Sequence, residues 1–168
     1  QTDSVVRVLQ FKMVFPNRWS ANNDGTTYEP CTAVTTALVK EFRLDPASVA
    51  DAARSDYQTA RGCEWEGLDS RLSYLAQFVG NLPSRNPTLK GYFEEYNIAD
   101  DWYEFAAIGG REVLFSTLGP DQCATHVVSG TAIVTTGVSI GGMPPPELSK
   151  ICERARRFTA ATLPSIPE

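Results

Sequence analysis

The chain has 168 residues, enough to close one hydrophobic core and too many for a disulfide knot. Hydrophobic residues at 42% and charged residues at 21% fit a globular protein and exclude a disordered one. A formal charge of −5 lacks the basic footprint of a nucleic-acid binder, and no apolar run reaches the roughly 20 residues a membrane-spanning helix needs.

Residues 1–16 form an N-terminal segment with a β-prone middle of Val5, Val6, Val8 and Leu9, read either as an edge strand or as the end of a linker from an anchor. The rest, 17–168, reads as a single α+β domain. An Asn-, Asp- and Gly-rich loop runs from Pro16 to Tyr28. Within it, Asn22, Asp24 and Gly25 imitate part of a calcium loop, but Cys31 stands where a bidentate Glu is required. A helix is expected from Pro30, with Cys31, Val34, Leu38 and Phe42 on one stripe. Asp45-Pro46 reads as the cap and first residue of a second, short helix with Val49, Ala52 and Ala53 inward.

From Cys63 the period changes to two. Cys63 and Trp65 share one face against Glu64 and Glu66, and Leu72, Tyr74, Ala76 and Phe78 alternate after the Asp69-Ser70 turn, which predicts an antiparallel hairpin. Residues 81–88 form a loop and 89–96 a short helix. Strands are expected over 102–108 and 112–118, joined by Gly109-Gly110, and over 123–128 and 131–138, joined by Ser129-Gly130. Gly142-Met143-Pro144-Pro145-Pro146 breaks the sheet. A last helix opens near Pro146-Glu147, turns Leu148, Ile151, Cys152, Ala155 and Phe158 inward, and ends at Pro164. The order of helices, strands and a final helix gives an α+β fold: a meandering antiparallel sheet with N- and C-terminal helices packed on it.

Four widely spaced cysteines and one histidine carry no C-x-x-C knuckle, so no metal site is expected, and no pattern demands a cofactor. Disulfides formed outside the cytoplasm fit better than four buried thiols in a cytosolic protein, although both readings stand at this point. Of three connectivities, Cys31–Cys63 with Cys123–Cys152 is preferred because each bond ties a predicted helix to a predicted strand nearby in sequence.

The stretch Gly137-Val138-Ser139-Ile140-Gly141 matches the G-x-S-x-G of a nucleophile elbow. However, Gly142-Met143-Pro144-Pro145-Pro146 separates the serine from the next helix, and His126 precedes it where such hydrolases place histidine last. A Gly-rich strand exit is the expected role, with His126 a partly buried structural histidine. Glu94, Glu95, Asp100, Asp101 and Glu104 crowd one acidic stretch beside Tyr92, Phe93, Tyr96, Trp102, Tyr103 and Phe105. From it, Tyr92, Tyr96, Asp100, Asp101, Trp102 and Glu104 are taken as a candidate binding surface. Arg154, Arg156 and Arg157 are expected to form a basic outer stripe on the last helix.

At Glu29-Pro30-Cys31, Cys63-Glu64-Trp65, Cys123 before a Val/Thr-rich hairpin, and Cys152-Glu153-Arg154-Ala155, the chain resembles a family of small actinobacterial cell-envelope lipoproteins of unknown function. The resemblance spans residues 17–164. It implies export, the same two disulfides, and an acylated cysteine upstream of Gln1 that holds the domain on the outer face of the cell membrane. The family is in turn similar in fold to PsbP-like domains, which serve as binding or assembly modules. The expected function is a non-enzymatic binding or assembly module for a membrane-associated complex or a lipid or glycolipid ligand. An envelope hydrolase using Ser139 or a carboxylate such as Asp101 or Glu104 is the alternative, and a purely structural surface protein a third.

Overall fold

A computed structural model describes residues 15–53, 59–97, 101–117 and 119–168, so the reading of the segment 1–16 lies almost wholly outside the described residues. The expected first helix divides into α1 (Pro30–Ala33) and α2 (Thr36–Glu41). Val34 is extended, and the Thr35 hydroxyl accepts the Leu38 N–H at 3.2 Å, so a side chain replaces the carbonyl that a continuous helix would supply. Val34, Val39 and Phe42 are buried while Cys31 and Leu38 are only partly so. Asp45 caps a single 3-10 turn over Pro46–Ser48 rather than a helix, which leaves Val49 exposed and Ala53 buried.

Seven strands follow: β1 (Ala50–Asp51), β2 (Arg61–Glu66), β3 (Ser73–Asn81), β4 (Tyr103–Ile108), β5 (Arg111–Thr117), β6 (Gln122–Ser129) and β7 (Ala132–Ile140). They form one antiparallel sheet in the order β1-β2-β3-β7-β6-β5-β4. Two meanders, β1 to β3 and β4 to β7, are thus sewn together along β3 and β7, paired from Ser73↔Ile140 to Asn81↔Ala132. Gly109 and Gly110 have φ of 56° and 80°, which a two-residue hairpin closed by Ile108↔Arg111 requires and β-carbons disfavour. The α+β meander expected from the sequence is the observed fold.

The last helix, α4 (Leu148–Thr162), lies across β6 and β7. Its Ile151, Ala155 and Phe158 are fully buried against the sheet's Val127, Val134 and Val138 and against Phe42. A fully buried chain the size of Phe158 contributes about 1.5–3 kcal/mol. On β3 the residues facing α4 are Leu75, Gln77 and Val79, all fully buried. The alternating set Leu72, Tyr74, Ala76 and Phe78 therefore faces the opposite side, and Leu72 is 69% exposed. Both disulfides join helix to sheet: Cys31–Cys63 links α1 to β2, and Cys123–Cys152 links β6 to α4.

Two polar devices lie within this layer. Arg61 is fully buried and meets Glu29 at 2.8 Å, while donating to the carbonyls of Asn23, Thr26 and Tyr28, and its guanidinium sits 4.1 Å over the Trp19 ring. This clamps the loop before α1 to the sheet; burial lowers the Arg61 pKa while Glu29 opposes that shift. Beneath α4, Gln77 accepts from the Tyr28 hydroxyl and donates to Thr136 and Thr162. The arginines of α4 are less free than an outer stripe would be. Arg156 packs 4.9 Å over Phe115, Arg157 5.3 Å over Phe42, and Arg154 donates to the Phe42 carbonyl.

Candidate functional site

Among the described residues, the helix packed on the other face of the sheet is α3 (Leu89–Tyr96), the helix expected at 89–96. Thr88 opens it by accepting the Gly91 N–H at 3.0 Å. Eight residues make a helix about 12 Å long, whereas nine-residue strands run about 30 Å. The helix therefore spans only part of this face, with Leu89 packed among Leu82, Leu114 and Ile133.

Between α3 and the sheet lies a cavity of about 290 Å³. Strand register explains its shape. Ala76, Gly137, Ala124 and Ser116 are cross-strand neighbours on β3, β7, β6 and β5, so one row across the sheet carries only small side chains. The next row, Phe78, Thr135, His126 and Leu114, is large, and Tyr74, Ser139 and Gln122 bound the other side. Tyr92, Phe93 and Tyr96 of α3 and Tyr103 of β4 form the wall. A β-carbon added at Gly137 would meet nothing within 4 Å, so the trough is open at its centre. None of the described lining residues is charged.

His126 is the polar centre of this site. Its Nε2 lies 2.8 Å from the Ser116 hydroxyl and its Nδ1 2.9 Å from the Thr135 hydroxyl. Burial lowers its pKa from 6.5 to about 4, so the ring is neutral at ordinary pH. The Tyr92 ring is 5.0 Å from the imidazole and 5.0 Å from Tyr96. Burial raises the Tyr92 pKa, with Tyr96 and Tyr103 adding to the shift and Thr135 opposing it, so this phenol is also neutral. Such a site can grip an apolar body and satisfy a few hydrogen bonds from a neutral group.

Against this geometry, the family described as "Protein of unknown function (DUF3558)" matches residues 13–165, nearly the whole chain. The chain belongs to the DUF3558 family. No curated protein matches it. Among solved structures, the solution structure of cyanobacterial PsbP (CyanoP) from Synechocystis sp. PCC 6803 is similar to it, with 12% identity over 73% of this chain and 85% of that one and a TM-score of 0.42.

The candidate surface read from the DUF3558 chain is divided by the sheet. Tyr92 and Tyr96 line the cavity, whereas Trp102 and Glu104 face a second, more open groove on the α4 side, with Phe115 and Arg156. Alternation along β4 is the reason, since Tyr103 and Glu104 point to opposite faces. Asp101 precedes β4, partly exposed, and Asp100 lies outside the described residues. Ser139 and His126 both line the cavity, but Gln122, not His126, is opposite Ser139. The four-residue offset is about 13 Å along the strand, and both imidazole nitrogens are already engaged. The sequence reading passed over Ser116, Thr135 and Gly137 as ligand-facing groups. Their only sequence signal is small or hydroxylated residues at alternate strand positions, and it acquires meaning only once the register is known.

Proposed function

We propose that this DUF3558 protein is an exported, non-enzymatic binding module that holds an amphiphilic ligand in the cavity under α3. One observation carries the reading: an open trough of about 290 Å³, walled by aromatic rings and floored by a row of small residues, with hydroxyls and a neutral imidazole converging on it. Its size is near the lower end of the roughly 300–1,000 Å³ of ligand pockets, which suits one chain or one ring system rather than a two-chain lipid. Two disulfides support a life outside the cytoplasm. Attachment to the outer face of the membrane through an acylated cysteine, and service to a membrane complex, belong to the same proposal and rest on the lipoprotein resemblance. Among the described residues no helix is long and apolar enough to cross a membrane.

The test is native mass spectrometry of the protein taken from its own envelope, with organic extraction of whatever it carries. A stoichiometric amphiphile on the wild type that is missing from Gly137→Leu is the expected result. A wild-type protein that emerges ligand-free and stays so when offered envelope lipids overturns the reading. Fatty-acid labelling of the native product checks the anchor separately.

A further inference from the structure

The polar centre of the cavity has a chemistry that selects among amphiphiles. A neutral imidazole has one N–H and one bare nitrogen. Ser116 and Thr135 each engage one of them and Thr135 also hydrogen-bonds the Tyr92 phenol, so in one tautomer the Ser116 hydroxyl accepts from the ring and keeps its own proton, and in the other it donates to the ring and keeps its lone pairs. Exchange of the tautomer swaps the two parts and leaves the charge unchanged. The trio therefore offers a hydrogen bond of either polarity and no net charge.

The surroundings act in the same direction. The described lining residues include no Lys, Arg, Asp or Glu, so an ionised head would enter without a counter-charge. Burying an unpaired ion costs far more than burying a hydrogen-bonded neutral group. Tyr92 and His126 are both held in their uncharged forms by burial, so neither can supply that charge at ordinary pH.

Resting on the reading that the cavity is the ligand site, we propose that it selects a neutral, hydroxyl-bearing amphiphile with a single apolar chain or ring, whose hydroxyl joins the Ser116–His126–Thr135 trio. Carboxylate and ammonium heads on the same chain are rejected. A hydroxyl is the matching group because it too donates and accepts at one atom, and so fits either tautomer of the imidazole.

The experiment titrates the oxidised protein at pH 8 with 1-decanol, decanoate, decylammonium and decane, which share chain length and differ in head group. Decanol is expected to bind at least tenfold more tightly than either ion. The double variant Ser116→Ala/Thr135→Val is expected to weaken decanol at least fivefold and leave decane unchanged. Gly137→Leu, or Ala76→Leu from the same row of small residues, should abolish binding of all four. If either ion equals or exceeds decanol, or if the double variant keeps full decanol affinity, the selection proposed here is wrong while cavity binding stands. If no probe binds the wild type, both fall. Thermal unfolding of each variant establishes that it is folded, and Ser116→Ala alone repeats the comparison should the double variant not fold.

Discussion

Burial that pulls the His126 pKa from 6.5 to about 4 also makes this residue a pH-dependent part of the fold. The unfolded chain takes up the proton near pH 6.5 and the folded one only near 4, so between these values the unfolded state binds more protons. The stability is full above pH 6.5, declines as pH falls, and is lost through pH 4. The total is about 3 kcal/mol, because a tenfold change in proton affinity between the two states is worth about 1.4 kcal/mol. Urea unfolding at pH 7 and pH 4 is expected to show the wild type losing about that much more than His126→Gln, which has no imidazole to titrate. That His126 is at least partly buried was legible from its place in a Val- and Ala-rich strand. Its pairing with Ser116 and Thr135 was not, because each lies on a different strand. Arg61 gave even less warning. It opens a strand in an Arg-Gly-Cys context, and only the loop folding over it supplies the carbonyls and the Glu29 carboxylate that make burial tolerable.

At the level of elements, two strand glycines illustrate how register assigns opposite roles to identical residues. A β-carbon on Gly62 of β2 would sit 2.1 Å from the Gln77 carbonyl oxygen and 2.6 Å from Phe78 Cα, both backbone atoms that cannot yield cheaply. At Gly137 of β7 it would point into the open trough. Gly62→Ala is expected to destabilise by about 1–3 kcal/mol through overpacking. Gly137→Ala is expected to be neutral or to stabilise by up to about 1 kcal/mol, since alanine loses less backbone entropy in a strand. Denaturant midpoints of the two variants check this, and equal losses would show that the trough closes in solution. Helix α3 coincides with its expected bounds because Thr88 caps it within a Pro-rich loop. The break between α1 and α2 escaped the periodicity because the apolar spacing persists across Thr35 while the hydrogen bonds do not.

Across the whole molecule, the two disulfides fasten different layers. Cys123–Cys152 anchors the first turns of α4 to β6, and Cys31–Cys63 fixes α1 to β2 close to the Arg61 clamp. Each closes a loop of about thirty residues, whose lost entropy in the unfolded chain is worth about 3–4 kcal/mol. Replacing Cys123 and Cys152 together by Ala is expected to cost about that much in denaturant unfolding. The rest of the α4 interface, centred on Ile151, Ala155 and Phe158, remains to hold the fold.

The sequence by itself determined the α+β class, the hairpins and their glycine turns and the amphipathic α4, and it favoured the disulfide pairing that the structure shows while leaving buried thiols open. These follow from period, turn chemistry and sulfurs placed on neighbouring elements, all of which are local signals. Only the tertiary structure decided which face of β3 meets α4 and which meets the ligand cavity. It also decided that Trp102 and Glu104 part from Tyr92 and Tyr96, and that Ala76, Gly137 and Ala124 line up into a trough. Such facts depend on register between strands far apart in the chain, and a shift of one residue would send every side chain to the other face.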